Sequence, residues 1–118
     1  MALETTLATL LGMLCSRVYP DIAGDPLPPR PYITYQQVGG VAVNFLERAV
    51  VGKRNARVQI NVWADTRLAA SALAGQVEDA IKLCTDFQGE PLAAWVAVHE
   101  PDLRLYGTRQ DFTIWSPA

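Results

Sequence analysis

Asn55-Ala-Arg-Val-Gln-Ile-Asn-Val-Trp-Ala64, followed by Asp65-Thr66, decides how this chain folds. Ala56, Val58, Ile60, Val62 and Ala64 alternate with Arg57, Gln59, Asn61 and Trp63. A period of two puts the first set on one face of a strand and the second set on the other. The stretch therefore predicts a strand with one core face. Asp65 or Thr66 is placed to cap a helix that runs to about Cys84. Ala69, Leu73, Val77, Ala80 and Cys84 predict its buried face, with Ile81 at the margin. Ser71, Gly75, Glu78 and Lys82 fall opposite. The alanines let this helix lie close to the sheet, where larger side chains would hold it away.

Towards the N-terminus, Leu3, Leu7, Leu10 or Leu11, and Leu14 recur at helical spacing. Val18-Tyr19-Pro20 ends that helix, because a residue before proline avoids the α region. Pro20, Pro26, Pro28, Pro29 and Pro31 make residues 20–31 a stiff loop with few backbone donors. Pro28-Pro29-Arg30-Pro31 reads as a fixed lead-in to the next strand, with a ligand for a proline-binding module as the alternative. Tyr32 to Val38 predicts a strand, and Gly39-Gly40 a tight hairpin turn. Val41 to Leu46 predicts the returning strand, with Val41, Val43 and Phe45 on one face. Glu47 to Asn55 predicts a loop, so residues 39–55 form an extended hairpin or arm. Val50 and Val51 within it call for cover, from the domain itself or from a neighbouring subunit.

Beyond the second helix, Asp86 to Pro91 predicts a turn and Trp95 to His99 a strand. Pro101-Asp102 marks a break before a last strand over Tyr106 to Trp115. Tyr106, Thr108, Gln110, Phe112 and Ile114 share one side of that strand, and Arg109, Asp111, Thr113 and Trp115 the other. The expected fold class is α/β of the α+β kind. It is a largely antiparallel sheet of four to five strands with two helices on one face, in the order α-β-β-β-α-β-β. The 118 residues, half of them hydrophobic, suit one domain over 1–118.

Ten basic and 12 acidic residues give a formal net charge of -2, which speaks against direct, sequence-specific nucleic-acid binding. Arg48, Lys53, Arg54 and Arg57 form a local basic stretch: a solvated loop at a strand end, or a site facing an acidic partner surface. The opening residues carry Glu4 and no basic start, and no run approaches the ~20 apolar residues that span a bilayer, so neither a signal peptide nor a membrane partner is expected. Cys15 and Cys84 sit near predicted helix ends, in apolar sequence. Two buried thiols in a reducing cytoplasm is the favoured state, with one disulfide the open alternative.

No catalytic, cofactor-binding or metal-binding residue stands out. His99 is the single histidine, and His99 and Glu100, adjacent on a strand, point apart. No paired cysteine motif or second histidine completes a zinc site. Ser16, Ser71 and Ser116 lack a nucleophile-elbow setting, and Gly39-Gly40 is not followed by the lysine of a phosphate loop. Asp65, Glu78 and Asp79 read as helix-start and solvent-face acids.

The order of these pieces resembles the tail completion protein family of long-tailed bacteriophages and prophages. The likeness lies in the N-terminal helix leading to Val18-Tyr-Pro20, and in Pro31-Tyr-Ile-Thr-Tyr-Gln-Gln-Val38. It continues through Ala56-Arg-Val-Gln-Ile-Asn-Val-Trp-Ala64, the helix carrying Ala69 to Ile81, and Arg109-Gln-Asp-Phe-Thr-Ile-Trp115. The resemblance implies a non-enzymatic subunit without cofactors. It implies self-association into a ring, expected to be a hexamer, that terminates the tail tube and joins it to the head connector. Tail tube protein and a head connector or neck protein are the implied partners. The implied location is the virion tail, reached from the host cytoplasm during assembly. A connector or neck subunit, or a cytoplasmic protein-binding module, is the alternative.

A ring needs two different surfaces that meet head to tail. Val41, Val43, Phe45, Val50 and Val51 in the arm are candidates for one. Arg57, Trp63, Arg109 and Trp115, on the sheet face away from the helices, are candidates for the other. Two tryptophans on such a face need cover, from a partner subunit or from a curled hairpin of the same chain.

Overall fold

The computed structural model describes residues 3–42 and 52–117. Along the chain come α1 (Leu3–Gly12), β1 (Val18–Pro20), β2 (Tyr32–Gln37), β3 (Lys53–Ala64), α2 (Arg67–Leu83), β4 (Gln88–Pro91), β5 (Val96–Glu100) and β6 (Leu105–Pro117). A 3-10 turn at Pro101–Leu103 precedes the last strand. The sheet runs β1-β2-β3-β6, with β4 and β5 both on the far side of β6. Among the described residues, only β1 and β2 pair in parallel.

The centre of the sheet is the β3–β6 ladder, twelve residue pairs from Lys53–Pro117 to Ala64–Tyr106. Its alternation is the one the sequence predicts. Ala56, Val58, Ile60, Val62 and Ala64 are buried, and Arg57, Gln59, Asn61 and Trp63 are not. Phe112 and Ile114 on β6 join Val58, Ile60 and Val62 in the core. Leu7 and Leu11 from α1, and Leu73, Val77 and Ile81 from α2, pack into the same cluster, so both helices cover one sheet face.

Thr66 caps α2: its Oγ1 accepts from the Ala69 N–H at 3.1 Å. The buried face of α2 is Ala70, Leu73, Ala74, Val77 and Ile81. It is turned from the expected stripe, so that Ala69 is exposed and Ile81 lies at the centre. The reason is that the sheet takes a broad stripe, and Ala70 and Ala74 are fully covered within it. Glu78 is not a solvent-face acid only. It accepts from Nε2 of the buried Gln110 at 2.8 Å, and the same nitrogen donates to the Ala93 carbonyl at 2.9 Å. A buried amide is thereby satisfied.

Among the described residues the sheet has six strands, where the sequence predicts four to five. The first helix already ends at Gly12, so Val18–Pro20 forms a short strand rather than ending the helix, and Gln88–Pro91 is strand rather than turn. Local apolar patterning is too short in either to signal a strand. Tertiary bonds make β1: the Ile33 N–H donates to Arg17 O at 2.9 Å, and Arg17 Nε donates to Pro31 O at 3.0 Å. Cys15 is buried and Cys84 half-buried, both as free thiols.

Gly39-Gly40 is not a tight hairpin turn. The Val38 N–H donates to Arg57 O, and the Arg57 N–H donates to Gly39 O, each at 2.8 Å. Two residues therefore face one, which is a β-bulge. The chain continues along β3 instead of reversing: Val41 N–H reaches Asn55 Oδ1 at 2.8 Å. Gly40 is required here by close approach, since a Cβ would stand 2.6 Å from Asn55 O. Val41 and Ala42 belong to no strand, and the rest of the predicted returning strand lies outside the described residues.

Gly107 faces Trp63 across the ladder, and a Cβ there would stand 2.6 Å from the indole and 2.8 Å from Val62 O. Because a backbone atom blocks relief, Gly107→Ala is expected to lower the unfolding free energy by about 1–3 kcal/mol in urea titrations.

Candidate functional site

The outer sheet face, opposite the helices, is the candidate site. At one end lies an aromatic row. Trp63 rests over Gly107 and pairs in register with Tyr32, and Tyr19 meets Tyr32 edge-on at 6.4 Å between ring centroids. Tyr32 and Thr34 are buried there although they point outward, so this end is already covered within the chain. Trp63 itself stays half-buried.

Along the middle, β3 and β6 are cross-linked by polar side chains. Arg57 donates to Asp111 Oδ2, with Nη2 at 2.7 Å and Nε at 2.8 Å. Gln59 Nε2 donates to Asp111 Oδ1 at 3.3 Å, and Asn55 Nδ2 donates to Thr113 Oγ1 at 2.9 Å. Arg109 stands in register with Asn61, exposed, and its guanidinium has no partner among the described residues.

At the far end, Val38, Gly40, Val41, Asn55, Arg57, Leu92 and Thr113 line a cleft of about 390 Å³. Thr113 also lines a second cleft of about 400 Å³, with Trp115, Lys82, Cys84, Phe87, Gln88, Gly89 and Glu90. The structure thus brings Val41, Arg57 and Trp115 together around Thr113. Trp63 and Arg109 are not part of that group: the Trp63–Gly107 and Asn55–Trp115 pairs stand roughly 27 Å apart along the ladder. Val43, Phe45, Val50 and Val51 lie outside the described residues.

The sequence reading misses several residues that brace the β5 end of the sheet. Arg67 at the start of α2 donates to Gly107 O and Val98 O, both at 2.8 Å, and its guanidinium lies 5.8 Å from the Tyr106 ring centroid. Arg30 joins Asp65, at 3.1 Å, to Leu103 O, at 2.7 Å, and so ties the proline-rich loop to the turn before β6. No local motif signals such long-range ties. A charged residue just inside a helix start, or at the end of a rigid loop, is the faint cue.

A family model described as tail completion protein gp17 matches residues 2–116. The chain belongs to this family. A chain from the structure titled "Virion of native gene transfer agent (GTA) particle" is similar in fold, with a TM-score of 0.61. The two share 18% identity over 98% of this chain and 87% of that one. Comparison with curated proteins gives no match. Family membership makes the protein a structural component of a phage-type tail. A layered sheet with a polar, cross-linked outer face accords with a part built to hold shape.

Burial raises the Tyr32 and Tyr35 phenols above the ordinary 10.0. Arg30 partly offsets this at Tyr32, whereas Glu4 and Asp21 add to it at Tyr35. The unfolded chain ionises these phenols first, so their stabilising effect is complete below pH 10 and fades as pH rises through the higher folded values. Melting temperature is expected to fall above pH 10, and less so in the Tyr35→Phe variant. Arg57→Ala is expected to change the unfolding free energy by at most about 1 kcal/mol, since the Arg57 side chain is half exposed and Asp111 keeps its bond from Gln59; denaturant titration reads this directly.

Proposed function

We propose that this protein forms a closed ring, expected to be a hexamer, that ends the tail tube and offers the head connector a docking surface. The family match over residues 2–116 carries this reading. In it, the partners are further copies of the chain, the tail tube protein, and a connector or neck protein. The place of assembly is the host cytoplasm, and the final site is the virion tail. The role requires binding and rigidity, with no catalytic step.

Physical features support it. A ring subunit must present two unlike surfaces joined by a stiff body. The long ladder supplies the body. The clefts around Thr113 combine exposed Val38, Val41 and Leu92 with the half-buried Trp115 indole and the Arg57 guanidinium. Aromatic and arginine side chains flanked by apolar ones are the usual anchors of protein contacts. The arm residues Val43, Phe45, Val50 and Val51 extend the same contact in this proposal, with Trp63 and Arg109 towards the other end of the face.

Two measurements test the reading. Interrupting the gene in a producing phage is expected to leave filled heads and tails unjoined in electron micrographs, restored by supplying the protein in trans. Joined particles in the interrupted strain reject the role. In the purified protein, Trp115→Asp is expected to keep the wild-type circular dichroism spectrum and to raise the concentration needed for self-assembly about tenfold or more. Unchanged assembly removes Trp115 from the contact.

A further inference from the structure

We propose that the cleft between Val41 and Leu92 is the seat for residues 43–51 of a second copy, so that each copy hands this segment to the next. The inference rests on the ring reading above and names what fills one of its contact surfaces.

The cleft is held open by fixed walls. On one side the Val41 N–H donates to Asn55 Oδ1 at 2.8 Å. Asn55 Nδ2 in turn donates to Thr113 Oγ1 at 2.9 Å on the floor. On the other side the Leu92 N–H donates to Asp111 O at 2.9 Å. Between these walls Val38, Val41 and Leu92 are 42%, 61% and 49% exposed. The one charged side chain in the lining, Arg57, is matched by Asp111. A pre-formed hollow of about 390 Å³, with apolar walls and a neutralised cation, suits an uncharged apolar occupant.

Composition and chain path identify the occupant. Residues 43–51 read Val-Asn-Phe-Leu-Glu-Arg-Ala-Val-Val, six apolar residues among nine, with Glu47 and Arg48 offsetting each other. An apolar run of that kind needs cover, and where a chain leaves one uncovered it marks a contact site. The inner sheet face offers it no place, since both helices already close that face. The segment departs after Ala42 and returns at Gly52, beside Lys53 at the end of the ladder. Both of its ends thus lie towards the sheet end, beyond the Arg57 and Thr113 floor. Nine residues running out and back reach at most roughly 17 Å past that end. The chain's own cleft is the wrong one, because Val38, Gly40 and Val41 are at once its wall and the lead into the segment. Filling it calls for a reversal directly after Ala42, where Val43, Asn44, Phe45 and Leu46 offer Asn44 alone as a turn-forming residue. The cleft of a second copy sets no such demand. Segment and cleft are unlike surfaces, so the contact is heterologous and can repeat around a closed ring.

Cysteine cross-linking tests this. In a Cys84→Ala background, which removes the half-buried native thiol, Leu92→Cys is combined with Phe45→Cys and, separately, with Leu46→Cys, so that both faces of the segment are sampled. Mild oxidation of the assembled protein is expected to give disulfide-linked dimers and larger species on a non-reducing gel, reversed by reductant and scarce in the single-cysteine variants. A link within one chain, seen as a monomer that has lost both thiols, overturns the inference. So does assembled protein that forms no link with either pair, and in both cases the ring reading stands. As a second measure, Phe45→Ser with Leu46→Ser is expected to keep the wild-type urea midpoint and to need about tenfold more protein to assemble by light scattering. A lowered midpoint with unchanged assembly places the segment on its own domain and overturns the inference. A wild-type protein that stays monomeric at every concentration overturns the ring reading, and this contact with it.

Discussion

The antiparallel pairing of β3 with β6 is the constraint on which the rest depends. Twelve consecutive pairs fix the register of two long strands, and register fixes which side chains point to which face. A slip of one residue would turn Val58, Ile60 and Val62 to water and bring Arg57 and Gln59 into the core. The helices have a place to pack only because this ladder presents an unbroken apolar strip. β2 and the broken β4–β5 edge add to its two sides.

The two faces of the ladder do different work. The inner face is dry, and where it takes in a polar group the group is matched: Gln110 bonds to Glu78 on α2 and to Ala93 between β4 and β5. That amide links a helix, the central ladder and an edge. The outer face is a lattice of cross-strand pairs, with Asp111 receiving both Arg57 and Gln59. Such bonds are individually weak at a wet surface. Placed side by side, they tie the two strands together, which suits a structural component of a tail.

Much of this was legible in the sequence, for reasons that are physical. The residues 55–64 alternate without interruption, so local pattern and tertiary burial agree. Thr66 and the apolar stripe after it make α2 legible to within a few residues. The strands β1 and β4 were not legible, because three and four residues hold too little periodicity and owe their pairing to distant bonds. The glycine pair at 39–40 misled for a related reason. Positive φ serves a bulge and a close backbone approach as well as a turn, and sequence does not separate these uses. Of the outer-face residues, alternation correctly placed Arg57, Trp63, Arg109 and Trp115 opposite the core. It did not reveal that Arg57 is already engaged by Asp111, nor that Trp63 and Trp115 belong to opposite ends of the face.

The mismatch at Val38-Gly39 has a topographic effect. A regular sheet face is a gently saddled plane and offers a partner little to grip. One surplus residue increases local twist and bends its strand. Here the bent segment carries Val38 and Val41 to one wall of the hollow whose other side is Leu92. Relief on this surface therefore comes from the backbone itself: a single uneven count between neighbouring strands carves a recess where equal counts would leave a flat wall.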